Sequence, residues 1–204
     1  MAWKNDQVSE DETRKILELA RKCLEVEGDY VELGCYRGDT SLMLAEILRE
    51  YNVGIVEKSV EKPAKKLWIY DSFEGLPEKK KVDFSEMGKE FEQGALTVTK
   101  REVKERFLKA GLPVPVIKKG WFSDLKKVDL PEKIAFAFLD GDLYDSIKDS
   151  LRLIDDKVVS GGVVLVHDYM NSALPGVTKA LDEWLRNKKY RVDRLDSLAI
   201  IFII

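Results

Sequence analysis

Two apolar runs in this chain end on charge. Ile134-Ala135-Phe136-Ala137-Phe138-Leu139 drives into Asp140, Gly141 and Asp142, and Val163-Val164-Leu165-Val166 drives into His167 and Asp168. Two shorter runs do the same, Tyr30 to Leu33 carrying Glu32 and Leu67 to Tyr70 ending on Asp71. Carboxylates at the tips of buried strands are costly unless something cationic sits there. Asp also closes turns well, which accounts for any one of them alone. Four acids on one rim form a set. The first of these runs opens into Glu32-x-Gly34-x-x-x-Gly38, a loop whose glycines permit a tight turn and let a ligand lie against bare backbone. It lacks the third glycine of a G-x-G-x-x-G fingerprint, which counts against a dinucleotide. A plain glycine turn between a strand and a helix has the same spacing.

The elements that must position these residues alternate. Ser9 followed by Glu10-Asp11-Glu12 is an N-cap with helix-friendly acids, and Ile16, Leu17, Ala20 and Leu24 give an apolar helical face ending near Gly28. Strand 30–33, the glycine loop, a helix over about 40–51 and strand 67–70 follow. Residues 72–98 are irregular, with Phe84, Met87 and Phe91 at the spacing of a short amphipathic helix. Then come a helix over 100–110, strand 114–117, strand 134–139, a helix over about 144–156, strand 163–166, a helix over about 177–187, and strands 190–195 and 198–204. Strands alternating with helices predict a parallel sheet covered on both faces, with the continuous apolar strands central. Asp196-Ser197 is too short for a crossover, so the last two strands must form an antiparallel hairpin. In such a sheet ligands bind beyond the carboxyl ends of the strands, where all the named acids lie.

The whole sequence of 204 residues suits one domain. Apolar content of 45% is ordinary, and a net charge of −3 offers no basic field to nucleic acid. No apolar run reaches the length of a membrane span. The lysines at 62–66 and 79–81 are flanked by Glu61, Glu78 and Asp83 and read as solvated loops. Cys23 and Cys35 match neither a metal spacing nor a disulfide framework, and the start of the chain lacks a signal-peptide core, so a cytoplasmic protein is expected. No internal repeat or low-complexity segment is present.

A doubly wound, mostly parallel seven-stranded sheet finished by an antiparallel hairpin resembles the class I S-adenosylmethionine (SAM)-dependent methyltransferases. E-x-G-x-x-x-G resembles their first motif. "YDSFEGLP" (70–77), "KGWFSDLKKVDLP" (119–131), "FLDGDLYDSIKDSLRLI" (138–154) and "GGVVLVHDYMNSALPGVTKAL" (161–181) together resemble the macrocin O-methyltransferase family over roughly residues 28–190. The arrangement is more remotely similar to the catechol and caffeoyl-CoA O-methyltransferases.

The resemblance implies transfer of a methyl group from SAM to a hydroxyl of a small molecule, a sugar in the family. It implies a cofactor site of Glu32, Gly34, Tyr36, Gly38, Thr40, Asp71, Ser72, Gly120, Trp121, Phe122 and Asp140. Glu32 would face the ammonium, Thr40 the carboxylate, Asp71 the ribose, and Trp121 and Phe122 the adenine. A divalent ion, Mg²⁺ first and Mn²⁺ next, would be held by Asp140 and the pair 167–168. Here the chain departs from the family's Asp-Asp, since His167, its only histidine, precedes Asp168. An imidazole ligand would shift preference toward softer ions; the alternative is that His167 only hydrogen-bonds. Asp142 is the candidate base and Asp140 the runner-up, unless Asp142 caps the helix beginning near Tyr144. Tyr144 and Tyr169 are expected to shape the acceptor pocket, and 78–98 to act as a lid beyond the N-terminal helix of 1–27. A homodimer is expected, because Trp3, Phe84 and Phe91 lack obvious intrachain partners. The competing readings are a non-catalytic SAM-binding scaffold and an NAD(P)-dependent oxidoreductase.

Overall fold

The computed structural model describes residues 7–57 and 62–204. Trp3 lies outside them. Ser9 opens the first helix, α1 (Glu10–Lys22), through a capping box in which its hydroxyl accepts from Glu12 N–H and the Glu12 carboxylate accepts from Ser9 N–H. Thr99 does the same with Glu102 for the helix Lys100–Ala110, which ends on left-handed Gly111 (φ 67°).

In chain order, α1 is followed by β1 (Asp29–Leu33), α2 (Asp39–Glu57), β2 (Leu67–Asp71), α3 (Lys100–Ala110) and β3 (Val116–Lys119). Then come β4 (Ile134–Leu139), α4 (Tyr144–Ile154), β5 (Val158–Val166), α5 (Pro175–Leu185), β6 (Arg191–Leu195) and β7 (Leu198–Phe202). They form one seven-stranded sheet of order β3-β2-β1-β4-β5-β7-β6. β3, β2, β1, β4 and β5 are parallel, and the hairpin inserts β7 antiparallel against β5. The chain reverses its winding between β1 and β4, which opens a crevice at their carboxyl ends.

Alternation along the strands divides the core. Tyr30, Ile69, Phe136, Phe138, Leu165 and Ile200 face α1, α2 and α3, whereas Val31, Leu33, Ala137, Leu139, Val164 and Ile201 face α4 and α5. This is the doubly wound sheet expected from the sequence.

Four local expectations are corrected. The strand expected at 114–117 begins at Val116, because Pro113 and Pro115 have no N–H to give a ladder. β5 starts earlier, at Val158, and absorbs Gly161 and Gly162 where its register with β4 shifts. Residues 84–91 do not form an amphipathic helix. One turn of 3₁₀ helix, Lys81–Asp83, precedes a series of turns around Gly88, and Phe84 and Met87 are exposed. Phe91, expected to lack an intrachain partner, packs against the α4–α5 core. Among the described residues no helix is long and apolar enough to cross a membrane.

Candidate active site

The strand tips converge on a cavity of ≈ 390 Å³. Glu32, Gly34, Tyr36 and Thr40 line it from the β1–α2 connection, and Asp71 and Ser72 from the end of β2. Gly120, Trp121 and Phe122 line it from the end of β3, and Asp140, Asp142, His167 and Asp168 from the ends of β4 and β5. Of the residues expected to hold cofactor or metal or to act as base, Gly38 alone is not in the lining. It turns the chain into α2 at φ 79°, with a Cβ position 3.4 Å from the Val103 side chain of α3.

Gly34 is where only glycine fits. Its φ is 90°, and a Cβ there would lie 2.0 Å from the Asp140 carbonyl oxygen, so the loops after β1 and β4 touch through bare backbone. Asp71 then organises that loop. Its Oδ2 accepts from the amides of Cys35 (2.9 Å) and Tyr36 (3.3 Å), and its Oδ1 from Phe73 N–H (2.8 Å). Tyr36 and Phe73 sit at positive φ, 43° and 53°, which those bonds help to hold. From outside, Arg106 of α3 donates to the Arg37 carbonyl (2.6 Å) and to Asp39. Sequence reasoning missed Arg106, since nothing local marks one arginine on a charged helix.

Glu32 is 1% exposed and accepts from Ser41 Oγ. Burial pushes its carboxyl up to about 8, against the Ser41 hydrogen bond and helped by the charges of Asp140, Asp71 and Asp39. It is a buried acid that a cationic group in the cavity would ionise.

The β4–β5 end is more crowded. Asp140 Oδ1 lies 3.0 Å and Asp168 Oδ2 3.2 Å from His167 Nδ1, and Glu12 Oε2 lies 3.6 Å from His167 Nε2. One potential ligand atom from each of Asp140, His167 and Asp168 falls within 4.8 Å of the others. Asp168 is held at φ 59°, with its Oδ1 accepting from Asn171 Nδ2 at 2.7 Å. Burial opposes a charge on His167, but Asp140, Asp168 and Glu12 outweigh it and hold the imidazole well above its usual value. Burial would likewise raise Glu12, yet the facing His167 and hydrogen bonds from Ser197 and Ser9 bring it down to about 2. Glu12 was read from the sequence only as a helix-start acid; its reach into the site depends on how α1 docks.

Asp142, at φ 59°, does not cap α4. The N-cap position is Leu143, and the Tyr144 amide donates instead to Asp83 Oδ1 at 2.7 Å. The Asp142 carboxyl is pushed well above its usual range by burial, then by the charges of Asp140 and Asp168, against the influence of His167. Asp83 comes from the segment 78–98, so that segment is tied down. Asp83 fills the space beside Gly176, where a Cβ would lie 1.9 Å from its Oδ1, and Ser85 Oγ donates to the Ser172 carbonyl at 2.6 Å. Pro77, Asp83, Phe91 and Leu96 form one wall of the cavity. Tyr144 and Tyr169 are not in the lining. Their hydroxyls turn to α5, donating to Glu183 (2.6 Å) and Asp182 (2.9 Å), which corrects their expected place in the acceptor pocket.

Comparison with known proteins agrees with this geometry. The family model for macrocin-O-methyltransferase (TylF) matches residues 11–202. The demethyldecarbamoylnovobiocin O-methyltransferase of Streptomyces niveus is 32% identical over 198 residues, spanning 92% of this chain and 70% of that protein. The 8-demethyl-8-(2,3-dimethoxy-α-L-rhamnosyl)-tetracenomycin-C 4′-O-methyltransferase of Streptomyces olivaceus is 33% identical over 150 residues, 71% of this chain and 54% of that protein. The solved structure of the O-methyltransferase NovP superposes with a TM-score of 0.75 at 28% identity, covering 94% of this chain and 79% of that one. With the match running almost the full length and the fold shared, this chain belongs to the macrocin O-methyltransferase family of SAM-dependent methyltransferases.

Proposed function

We propose that this chain methylates a hydroxyl of a small molecule, a sugar hydroxyl by the names of its relatives, with a divalent ion beside the reacting oxygen. The observation that carries the reading is the convergence of Asp140, His167 and Asp168 in the lining of the cavity that the glycine loop and Asp71 also line. Two carboxylates and an imidazole suit Mg²⁺ or Mn²⁺, which keep water ligands and leave room for a substrate oxygen. The donor set fits such an ion on electrostatic grounds as well, because three neighbouring acids share a single histidine as counter-charge. When bound, a divalent ion acidifies and orients a hydroxyl beside it.

The remaining roles belong to the chain. Asp142 takes the hydroxyl proton and Asp140 is the alternative acceptor; positive charge in the cavity returns Asp142 to the carboxylate that this requires. Glu32 faces the cofactor's ammonium, with Gly34, Tyr36 and Thr40 along its amino-acid end. Asp71 and Ser72 serve the ribose, each Asp71 oxygen still having acceptor capacity beyond its amide partners. Gly120, Trp121 and Phe122 border the adenine. Gly38 serves the cofactor indirectly, by turning the loop. The wall of Pro77, Phe91 and Leu96 excludes water from the transfer. The reading extends to a cytoplasmic enzyme that acts on neither nucleic acid nor membrane; a net charge of −3 supports the nucleic-acid part, offering no basic field. It is a homodimer, with the exposed Phe84 and Met87 as the contact; a monomer in sedimentation would remove that part.

Isothermal titration with SAM and S-adenosylhomocysteine tests the core of the reading. Both should bind wild type and Asp168→Ala alike, while methyl transfer is lost in Asp168→Ala and in EDTA and returns to wild type with Mg²⁺ or Mn²⁺. Absence of SAM binding at high micromolar ligand would sink it.

A further inference from the structure

Glu12 is 3% exposed, and each of its oxygens has a separate set of partners. Oε1 accepts from Ser197 N–H (2.9 Å) and Ser197 Oγ (2.8 Å) in the turn between β6 and β7. Oε2 accepts from Ser9 N–H (3.2 Å) and Ser9 Oγ (2.8 Å), and faces His167 Nε2 at 3.6 Å. That last distance is an ion-pair contact rather than a formed hydrogen bond. The ring's other nitrogen, Nδ1, points between Asp140 Oδ1 and Asp168 Oδ2. The carboxylate facing Nε2 is therefore fixed from two sides, by the start of α1 and by the C-terminal hairpin, so its position does not depend on His167.

Which nitrogen of a neutral imidazole keeps the proton is set by what faces the other one. A carboxylate beside one nitrogen holds the N–H there, fixes the ring plane and leaves the opposite nitrogen as the donor to a metal. The geometry points to Glu12 as the positioning residue that keeps the His167 proton on Nε2, so that Nδ1 presents its lone pair between Asp140 and Asp168. This rests on the metal reading above and takes it further. His167 becomes a true third ligand, and α1 becomes part of the site instead of a covering helix. With a divalent ion held there, His167 would have given up its Nδ1 proton to solvent and kept its Nε2 proton toward Glu12.

The test reads metal binding, not turnover. Free Mn²⁺ is followed by electron paramagnetic resonance during titration of wild type, Glu12→Gln, His167→Asp and the double variant, with S-adenosylhomocysteine binding measured in each as a check on the fold. Gln retains the size of Glu12 but removes the carboxylate from Nε2. In wild-type background Glu12→Gln should weaken Mn²⁺ binding about 10- to 100-fold and leave S-adenosylhomocysteine affinity unchanged. In the His167→Asp background the same substitution should leave Mn²⁺ affinity unchanged or raise it, since no ring remains to orient and one like charge is removed. Equal Mn²⁺ affinity of wild type and Glu12→Gln overturns the role of Glu12 alone, and so does an equal loss in both backgrounds. No Mn²⁺ binding by wild type overturns the metal reading and this one with it. A measurement without substitution covers a variant that fails to fold. Because His167 is the only histidine, a long-range ¹H–¹⁵N spectrum of the untagged, Zn²⁺-loaded chain shows one imidazole. It should carry its proton on Nε2; a proton on Nδ1 overturns the proposal.

Discussion

The two ends of the crevice are built from the same material, acids at strand tips, and are satisfied in opposite ways. At the β2 end, Asp71 accepts three backbone amides, from Cys35, Tyr36 and Phe73. At the β4–β5 end, Asp140, Asp168 and Glu12 surround one imidazole, and Asp142 sits beside them with its carboxyl forced up. The first arrangement is complete within the protein. The second gathers more carboxylates than positive groups, and the raised Asp142 carboxyl is one consequence. A strand-tip acid is therefore read by its donors: one ringed by N–H groups builds the loop, and one facing other acids has its protonation set by them.

The largest expected effect contrasts the two ends directly. Asp142→Asn should lower kcat by about 10²- to 10⁴-fold, the usual range for a lost general base, with S-adenosylhomocysteine affinity and melting temperature at least as high as wild type. Steady-state kinetics beside calorimetry decides it; a variant that loses stability instead would make Asp142 a structural acid like Asp71. Asp71→Ala should do the reverse. Three amides lose their acceptor, at about 1–3 kcal/mol for each that water cannot reach, and urea denaturation should show a loss of about 3 kcal/mol together with lost cofactor binding. An Asp71→Ala protein of wild-type stability would break the comparison.

Glu32 belongs to neither extreme, being buried with one hydroxyl donor. Its carboxyl titrates near 8 in the folded chain against an ordinary 4.5. Between those values the folded state holds the proton and the unfolded state does not. The contribution is thus fully present below pH 4.5 and is lost as pH rises toward 8, at up to about 1.4 kcal/mol per pH unit. Glu32→Gln should flatten that slope in melting temperatures taken across the interval, and an unaltered slope would show that Glu32 is already ionised. The smallest effect is a change of preference. His167→Asp converts the crowded end to two adjacent aspartates and should raise activity with Mg²⁺ relative to Mn²⁺ and Co²⁺ by several-fold. An unchanged rank order across divalent ions would take His167 out of the ligand set.

The sequence by itself determined whatever depends on neighbours along the chain. Continuous apolar runs place β4 and β5 inside the sheet, Asp196-Ser197 forces the final hairpin, and the acids after each strand lie on one rim because parallel strands end on one side. The motifs around Asp71 and Asp140 identify the family in the same local way. Periodicity failed at 84–91, where three apolar residues at helical spacing stand among acids and Gly88; only Phe91 packs against the core, and Phe84 and Met87 are exposed.

Only the tertiary structure decided which polar groups meet. Asp83 caps α4 in place of Asp142, Tyr144 and Tyr169 turn toward acids on α5, and Glu12 reaches Ser197 and His167 from the other end of the chain. A capping box predicts what Glu12 does within its own turn, because that bond is fixed by helix geometry. Its second set of partners depends on the docking of α1 against α2 and the sheet, which is driven by burying Ile16, Leu19 and Ala20. That force is non-directional and carries no record, in the residues around Glu12, of which polar groups it will bring within reach.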